Sequence, residues 1–156
     1  MATGTALAPS PVPPRPQPNF LAMIRVRVAA KWFYWIAALS MINSLVVIFG
    51  GNFHFVVGLG ITSVVDAIAK RVGAMGSALD LVINAFIAGL FVLLGSFAIK
   101  AQKWAFLTGM LLYAADALLC LMAKDILSIA FHGYVLFTIY RGFSQVDLAQ
   151  PARNTA

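Results

Sequence analysis

The sequence predicts an all-α integral membrane protein, a bundle of four helices that cross the bilayer. Two observations predict this class: 62% of the 156 residues are hydrophobic and only 10% are charged, and the apolar residues form long unbroken runs. A soluble domain carries about 25% charged residues, and one core of this length could not bury such an excess of apolar surface. Because lipid offers the backbone no hydrogen-bond partners, runs without period-2 alternation indicate helices rather than a barrel.

Four apolar runs approach the length needed to cross a hydrocarbon core of about 30 Å at 1.5 Å per helical residue. Glycine, lysine or arginine residues end these runs, and the aromatic patch from Trp32 to Trp35 is typical of a membrane interface. The predicted spans, M1 to M4, are residues 32–49, 79–99, 104–123 and 126–141. They belong to a predicted transmembrane domain of residues 20–143.

Both ends of the chain are predicted to be tails. Residues 1–19 hold all but one of the seven prolines, which predicts a disordered or polyproline II segment on the cytoplasmic side. Residues 144–156 are predicted to be a flexible C-terminal tail. The basic stretch 20–31 fits either a segment lying at the headgroups or an inward extension of M1.

The segment 53–77 is predicted to lie at the outer membrane interface as an amphipathic helix. One helical face would carry only apolar residues, while Asp66, Lys70 and Arg71 lie elsewhere. The apolar face consists of Ile61, Val64, Val65, Ile68 and Val72. The alternative is a fifth span, because the first part of this segment is itself largely apolar.

Charge distribution favours four spans with both termini in the cytoplasm, since lysine and arginine concentrate on the cytoplasmic side of membrane proteins. With five spans, Lys100, Lys103, Arg141 and Arg153 would all lie outside. With four spans, eight basic residues lie on the inner side and three on the outer side. The inner residues are Arg15, Arg25, Arg27, Lys31, Lys100, Lys103, Arg141 and Arg153, and the outer residues are Lys70, Arg71 and Lys124. This pattern predicts a multi-pass protein of the bacterial cytoplasmic (inner) membrane.

The four spans also fit two copies of a helical hairpin, a parallel repeat. M1 and M3 both open with Lys-Trp, at Lys31 and Lys103, and residues 80–86 align with residues 125–131. In this interpretation Asp80 and Asp125 each cap a helix N-terminus at the outer surface, where the helix dipole favours an anion.

One polar residue in each span forms a candidate intramembrane layer. Under the four-span topology these residues lie at a similar depth, roughly 8–12 Å below the outer boundary at 1.5 Å per residue. They are Asn43, Asn84, Asp116 and His132. Asp116 and His132 could share a proton as a functional site, with the two asparagines as neutral ligands. The alternative is a hydrogen-bond layer that fixes helix register.

The sequence predicts no catalytic residues, metal site or cofactor. The single cysteine, Cys120, lies inside an apolar run, so neither a disulfide framework nor a CxxC site is available. No phosphate loop or nucleophile elbow is present, and no closely spaced set of metal ligands appears along the chain. The net charge of +6 is placed as expected for anionic lipids at the cytoplasmic face, not for nucleic acid.

Three stretches, GLGIT, KWAFLTGMLLYAAD and FHGYVLFTIYRGF, resemble small multi-span bacterial membrane proteins of no assigned function. The resemblance runs from about Lys31 to Phe143. It implies a similar helical fold and brings no activity or site.

The function expected from these features is that of an accessory or scaffold protein. It would work without catalysis, through helix–helix contacts with a second copy or a larger membrane-protein partner. Small size, short soluble parts and stripes of small residues favour this interpretation. The alternative is an oligomeric channel or transporter for a proton, an ion or a small solute, which would use the Asp/His/Asn layer.

Overall fold

A computed structural model describes residues 19–48, 60–61 and 74–150 of the chain, with side chains described from Leu81 onward in the last range. Within these residues the regular structure is helical. The described part of the chain includes the helices α1 (Phe20–Ile48), α2 (Ala74–Ile99), α3 (Lys103–Met122), α4 (Ile126–Phe143) and the short α5 (Val146–Ala149). The prediction of an all-α fold is thus confirmed for this part of the chain.

The four long helices pack in chain order, α1 on α2, α2 on α3 and α3 on α4, and α1 also packs against α4 and α5. Neighbours run antiparallel. Ser44, near the end of α1, bonds Asn84 in the first half of α2. Gly142, near the end of α4, lies against Ala29 in the first half of α1. The arrangement encloses one shared core.

Phe33 occupies the centre of this core. Its ring lies 6.3 Å from that of Phe91 and 6.0 Å from that of Phe106, measured between centroids. It fills the space where a side chain on Gly109 would begin. A glycine at this position therefore lets α1 and α3 approach closely, as small residues do at membrane helix contacts.

Three parts of the chain lie together at one end of the molecule: the start of α1, the α2–α3 turn and α5. The Asn19 side chain accepts hydrogen bonds from the backbone N–H groups of Leu21 (3.1 Å) and Ala22 (3.3 Å), capping α1. The Asn19 N–H donates to the Leu148 carbonyl at 3.2 Å. Lys103 forms an ion pair with Asp147 at 2.6 Å, and the Gln150 amide donates to the Ala101 carbonyl at 2.6 Å.

Two predictions concern this end of the molecule. The basic stretch 20–31 extends the first helix, so α1 is a single helix of 29 residues. Residues 144–150 fall in the predicted C-terminal tail, and within them Val146 and Ala149 of α5 are fully buried. This helix packs against α1, and tertiary packing of this kind stabilises helices that are too short to be stable alone.

In the described residues, three helices are long and apolar enough to cross a membrane: Leu81–Ile99, Lys103–Met122 and Ile126–Phe143. They coincide with predicted M2, M3 and M4. The range 74–77, predicted as interfacial, belongs to α2. The described residues do not include most of the predicted interfacial segment, nor residues 1–18 and 151–156. The choice between four and five spans depends on that segment and stays a prediction.

The two copies of the proposed repeat begin differently. Lys103 is the first residue of α3, whereas Lys31 lies well inside α1. Asp125 precedes α4, whereas Asp80 lies inside α2, whose described part begins at Ala74. The predicted cap at Asp80 therefore does not stand at a helix start.

Candidate functional site

Helices α3 and α4 bring two of the predicted site residues into contact. Asp116 shares the buried face of α3 with Gly109, Tyr113 and Cys120. His132 shares the buried face of α4 with Ser128. Nε2 of His132 lies 2.9 Å from Oδ2 of Asp116, and the residues are 0% and 4% exposed. Helical spacing on each face thus produces a buried acid–base pair.

The second ring nitrogen of His132, Nδ1, has a partner of its own. Nδ1 of His132 lies 2.7 Å from the carbonyl oxygen of Ser128. A carbonyl oxygen can only accept, so Nδ1 carries a hydrogen. The contact between Nε2 and Oδ2 then requires one further proton, held either by the imidazole or by the carboxyl group.

Two consecutive backbone N–H groups also bind the Asp116 carboxylate. Gly60 donates to Oδ2 and Ile61 donates to Oδ1, each at 2.8 Å. Successive backbone donors in helical conformation form the anion-binding arrangement found at helix N-termini. At Gly60 and Ile61 the segment between α1 and α2 therefore reaches the buried face of α3.

Cys120 and Tyr113 complete the surroundings of this pair. The ligand atoms of Asp116, Cys120 and His132 all lie within 4.8 Å of one another. A Cβ on Gly60 would lie 2.9 Å from the Cys120 sulfur, so a larger residue at this position would require the thiol or the backbone to move. The Tyr113 ring stacks on the His132 ring with centroids 4.4 Å apart and an interplanar angle of 17°. We call Tyr113, Asp116, Cys120 and His132 the α3–α4 cluster.

The two predicted asparagines occupy the α1–α2 side of the core. Asn43 and Asn84 are buried, and the Asn84 amide donates to the Ser44 hydroxyl at 2.8 Å. The structure thus brings Asp116 to His132 and Asn84 to Ser44, the neighbour of Asn43. Of the predicted layer, Asp116 and His132 thus meet each other between α3 and α4. The two asparagines lie apart from them, and Asn84 bonds Ser44 between α1 and α2.

The set of possible metal ligands formed by Asp116, Cys120 and His132 is not apparent as a closely spaced motif along the chain. Cys120 lies one turn from Asp116 on the buried face of α3, whereas His132 comes from α4. The i, i+4 spacing of Asp116 and Cys120 was a usable signal. Gly60 and Ile61 bind the Asp116 carboxylate through their backbone N–H groups. Every residue except proline carries such a group, so the sequence gives no sign of this contact.

Asp125 is the N-cap residue of α4. Its side chain accepts a hydrogen bond from the Ser128 N–H at 3.1 Å and another from the Ser128 hydroxyl. These hydrogen bonds hold the pKa of the exposed Asp125 carboxyl below its ordinary value. Asp80, the other residue predicted to cap, has its side chain outside the described part of the chain.

The fold and the cluster define an all-helical protein with three helices long and apolar enough to cross a membrane and a buried acid–base pair. Comparisons of the chain with protein-family models, curated proteins and solved structures find no match. The resemblance to small bacterial membrane proteins therefore stays a prediction.

Proposed function

We propose that this chain is a multi-pass protein of the bacterial inner membrane, a bundle of α1 to α4 that acts as a scaffold or accessory protein through contacts with a second copy. The observation that carries the proposal is an outward stripe on α3 at alternating spacings of three and four residues. Its members are Trp104, Leu107, Leu111, Ala114, Leu118 and Leu121. This is the spacing of helices that wrap around each other.

The exposure of the stripe supports an external role. Leu111 is 72% exposed and Leu118 is 61% exposed, so neither side chain is covered by the described part of the chain. The polar groups on the opposite face of α3 are already engaged inside the chain, where Asp116 meets His132 and the Gly60 and Ile61 N–H groups. Contacts with a partner would therefore use the apolar stripe.

The proposed topology places both termini in the cytoplasm. It is supported by the contacts of Asn19 with Leu148 and of Lys103 with Asp147, which put the start of α1, the α2–α3 turn and the end of α4 on one side. Ala2→Cys and Ala156→Cys should react with a membrane-impermeant maleimide only after cells are permeabilised, whereas Ser77→Cys should react in intact spheroplasts. The reverse pattern would contradict this orientation.

Self-association is tested by energy transfer between labelled copies in lipid vesicles at varied protein-to-lipid ratio. Leu111→Ala combined with Leu118→Ala should weaken association by about tenfold, which corresponds to about 1.4 kcal/mol. Val82→Ala combined with Leu93→Ala is the matched control, because these residues are exposed on α2 and leave the stripe intact. A wild-type protein that stays monomeric, or an equal loss in both variants, would overturn the proposal.

A second candidate function is an oligomeric channel or transporter for a proton, an ion or a small solute. The observation that favours it is the buried Asp116–His132 pair, in which Nε2 and Oδ2 lie 2.9 Å apart, within the distance over which a proton can be shared. Asp116→Asn should then fold and associate as the wild type does but lose flux in a liposome assay. Equal flux in the two proteins, or none in either, would remove this candidate.

A further inference from the structure

We propose that Asp116, Cys120 and His132 form a binding site for a divalent transition metal ion of the zinc class. Their ligand atoms, a carboxylate oxygen, a thiol sulfur and an imidazole nitrogen, all lie within 4.8 Å of one another. Metal bonds of about 2.0–2.3 Å in a tetrahedral site put ligand atoms on the order of 3–4 Å apart. Small side-chain rotations would therefore close the three atoms around an ion.

The groups around the ligands already have the arrangement that metal sites use. A metal-binding histidine usually donates its second ring N–H to a carbonyl or carboxylate, which fixes the other nitrogen as the ligand. Nδ1 of His132 does this with the Ser128 carbonyl at 2.7 Å, so Nε2 faces the cluster. The Tyr113 ring, stacked at 4.4 Å between centroids, also fixes the imidazole plane.

The carboxylate and the thiol are held in the same way. The Ile61 N–H binds Oδ1 of Asp116 at 2.8 Å, and Oδ2, which accepts from the Gly60 N–H at 2.8 Å, faces His132 Nε2 at 2.9 Å. Gly60 lies against the Cys120 sulfur so closely that a side chain would collide with it. The backbone at Gly60 thus contacts both the Asp116 carboxylate and the Cys120 thiol and restricts the positions that these two ligands can take.

The ligand types select the kind of ion. Thiolate and imidazole favour zinc and its neighbours in the first transition series, whereas magnesium and calcium require oxygen ligands. A divalent ion with one carboxylate, one thiolate and one neutral imidazole carries no net charge, which suits a site closed off from water. Three protein ligands leave a fourth position for water or another small ligand.

Cobalt(II) is the direct probe, because a thiolate–cobalt bond gives an intense charge-transfer absorption that oxygen and nitrogen ligands do not give. The full chain, without a polyhistidine tag, is titrated in lipid nanodiscs. We expect one cobalt ion per chain, displacement by zinc, and one sulfur at about 2.3 Å by X-ray absorption. The wild type without this absorption, while retaining its helical circular dichroism, would overturn the proposal.

Variants separate this site from surface binding. Cys120→Ser should abolish the charge-transfer absorption. His132→Gln should weaken binding by more than about 100-fold, because loss of an outer partner alone costs 10–100-fold. Ser44→Ala is the matched control, a change at a buried polar residue on α1, and should bind as the wild type does. Unchanged affinity in His132→Gln, with its fold verified by circular dichroism, would place the metal elsewhere and overturn the site.

Discussion

Asp116 and His132 face each other across α3 and α4 with 2.9 Å between Oδ2 and Nε2, while the opposite edge of the imidazole is bonded to the Ser128 carbonyl. The same carboxylate receives the N–H groups of Gly60 and Ile61. One side chain therefore connects α3, α4 and the segment between α1 and α2. A group with this many partners fixes the positions of three separate parts of the chain.

Replacing Asp116 by leucine should destabilise the protein strongly. The change leaves the buried His132 ring without its carboxylate partner and removes the acceptor of the partly buried Gly60 and Ile61 N–H groups. Breaking a buried pair by removing one partner costs about 3–5 kcal/mol. Asp116→Asn keeps one acceptor oxygen and should cost about 1–3 kcal/mol. The measurement is the free energy of unfolding from SDS titration in mixed micelles.

The control for this comparison is Asp147→Asn, because Asp147 is largely exposed and pairs only with the exposed Lys103 in the described part of the chain. Surface ion pairs contribute about 0–1 kcal/mol, so this variant should unfold nearly as the wild type does. Equal stability of Asp116→Leu and Asp147→Asn would show that the buried carboxylate does not hold the fold together.

Gly109→Ala should destabilise the core, because the added methyl group would overlap the Phe33 ring. Overpacking of this kind costs about 1–3 kcal/mol. Gly133→Ala is the matched control: it is also a helical glycine, but a Cβ there meets nothing within 4 Å, so the change should be neutral or stabilise by up to about 1 kcal/mol. Two equal effects in the same SDS titration would contradict the close α1–α3 contact.

The helices were predictable because their signals are local. Unbroken apolar runs ended by glycine or charged residues located M2, M3 and M4 to within a few residues of α2, α3 and α4. Asp125 was predictable as a cap for the same reason, since its partner Ser128 is three residues away. Asp80 has a similar local sequence, but Ile83 stands where the partner of Asp125, Ser128, stands in the other copy, and Asp80 lies inside a helix that is already formed at Ala74.

The candidate site was only half predictable. Depth counting along single helices placed Asp116 and His132 at one level, and this required no knowledge of packing. The rotation of α3 against α4 decides that Cys120 joins them, and that rotation depends on contacts such as Phe106 with Phe143. The order of residues 144–150 likewise depends on a surface of α1 that is assembled only in the folded protein.

Ser44 and Asn84 should be energetically coupled across α1 and α2. Their hydrogen bond measures 2.8 Å, and interhelical bonds in membranes are worth about 0.6–2 kcal/mol. A double-mutant cycle with Ser44→Ala and Asn84→Ala isolates the coupling from the other effects of each change. The comparison pair is Asn84→Ala with Ser96→Ala, whose hydroxyl bonds the Leu93 carbonyl on its own helix, and its coupling should be within about 0.3 kcal/mol of zero.

The start of α4 should become less stable in acid. The hydrogen bonds from Ser128 lower the pKa of Asp125 in the folded protein, so the stabilisation is fully present above the ordinary aspartate value of about 3.9 and is lost as pH falls through the folded value. Because Asp125 is exposed, the effect should be confined to the first turn, where hydrogen-exchange protection of the Ser128 amide should fall in acid. Asp125→Asn caps without titrating and provides the reference at each pH. An equal fall in both proteins would mean that the Asp125 carboxylate does not control this helix end.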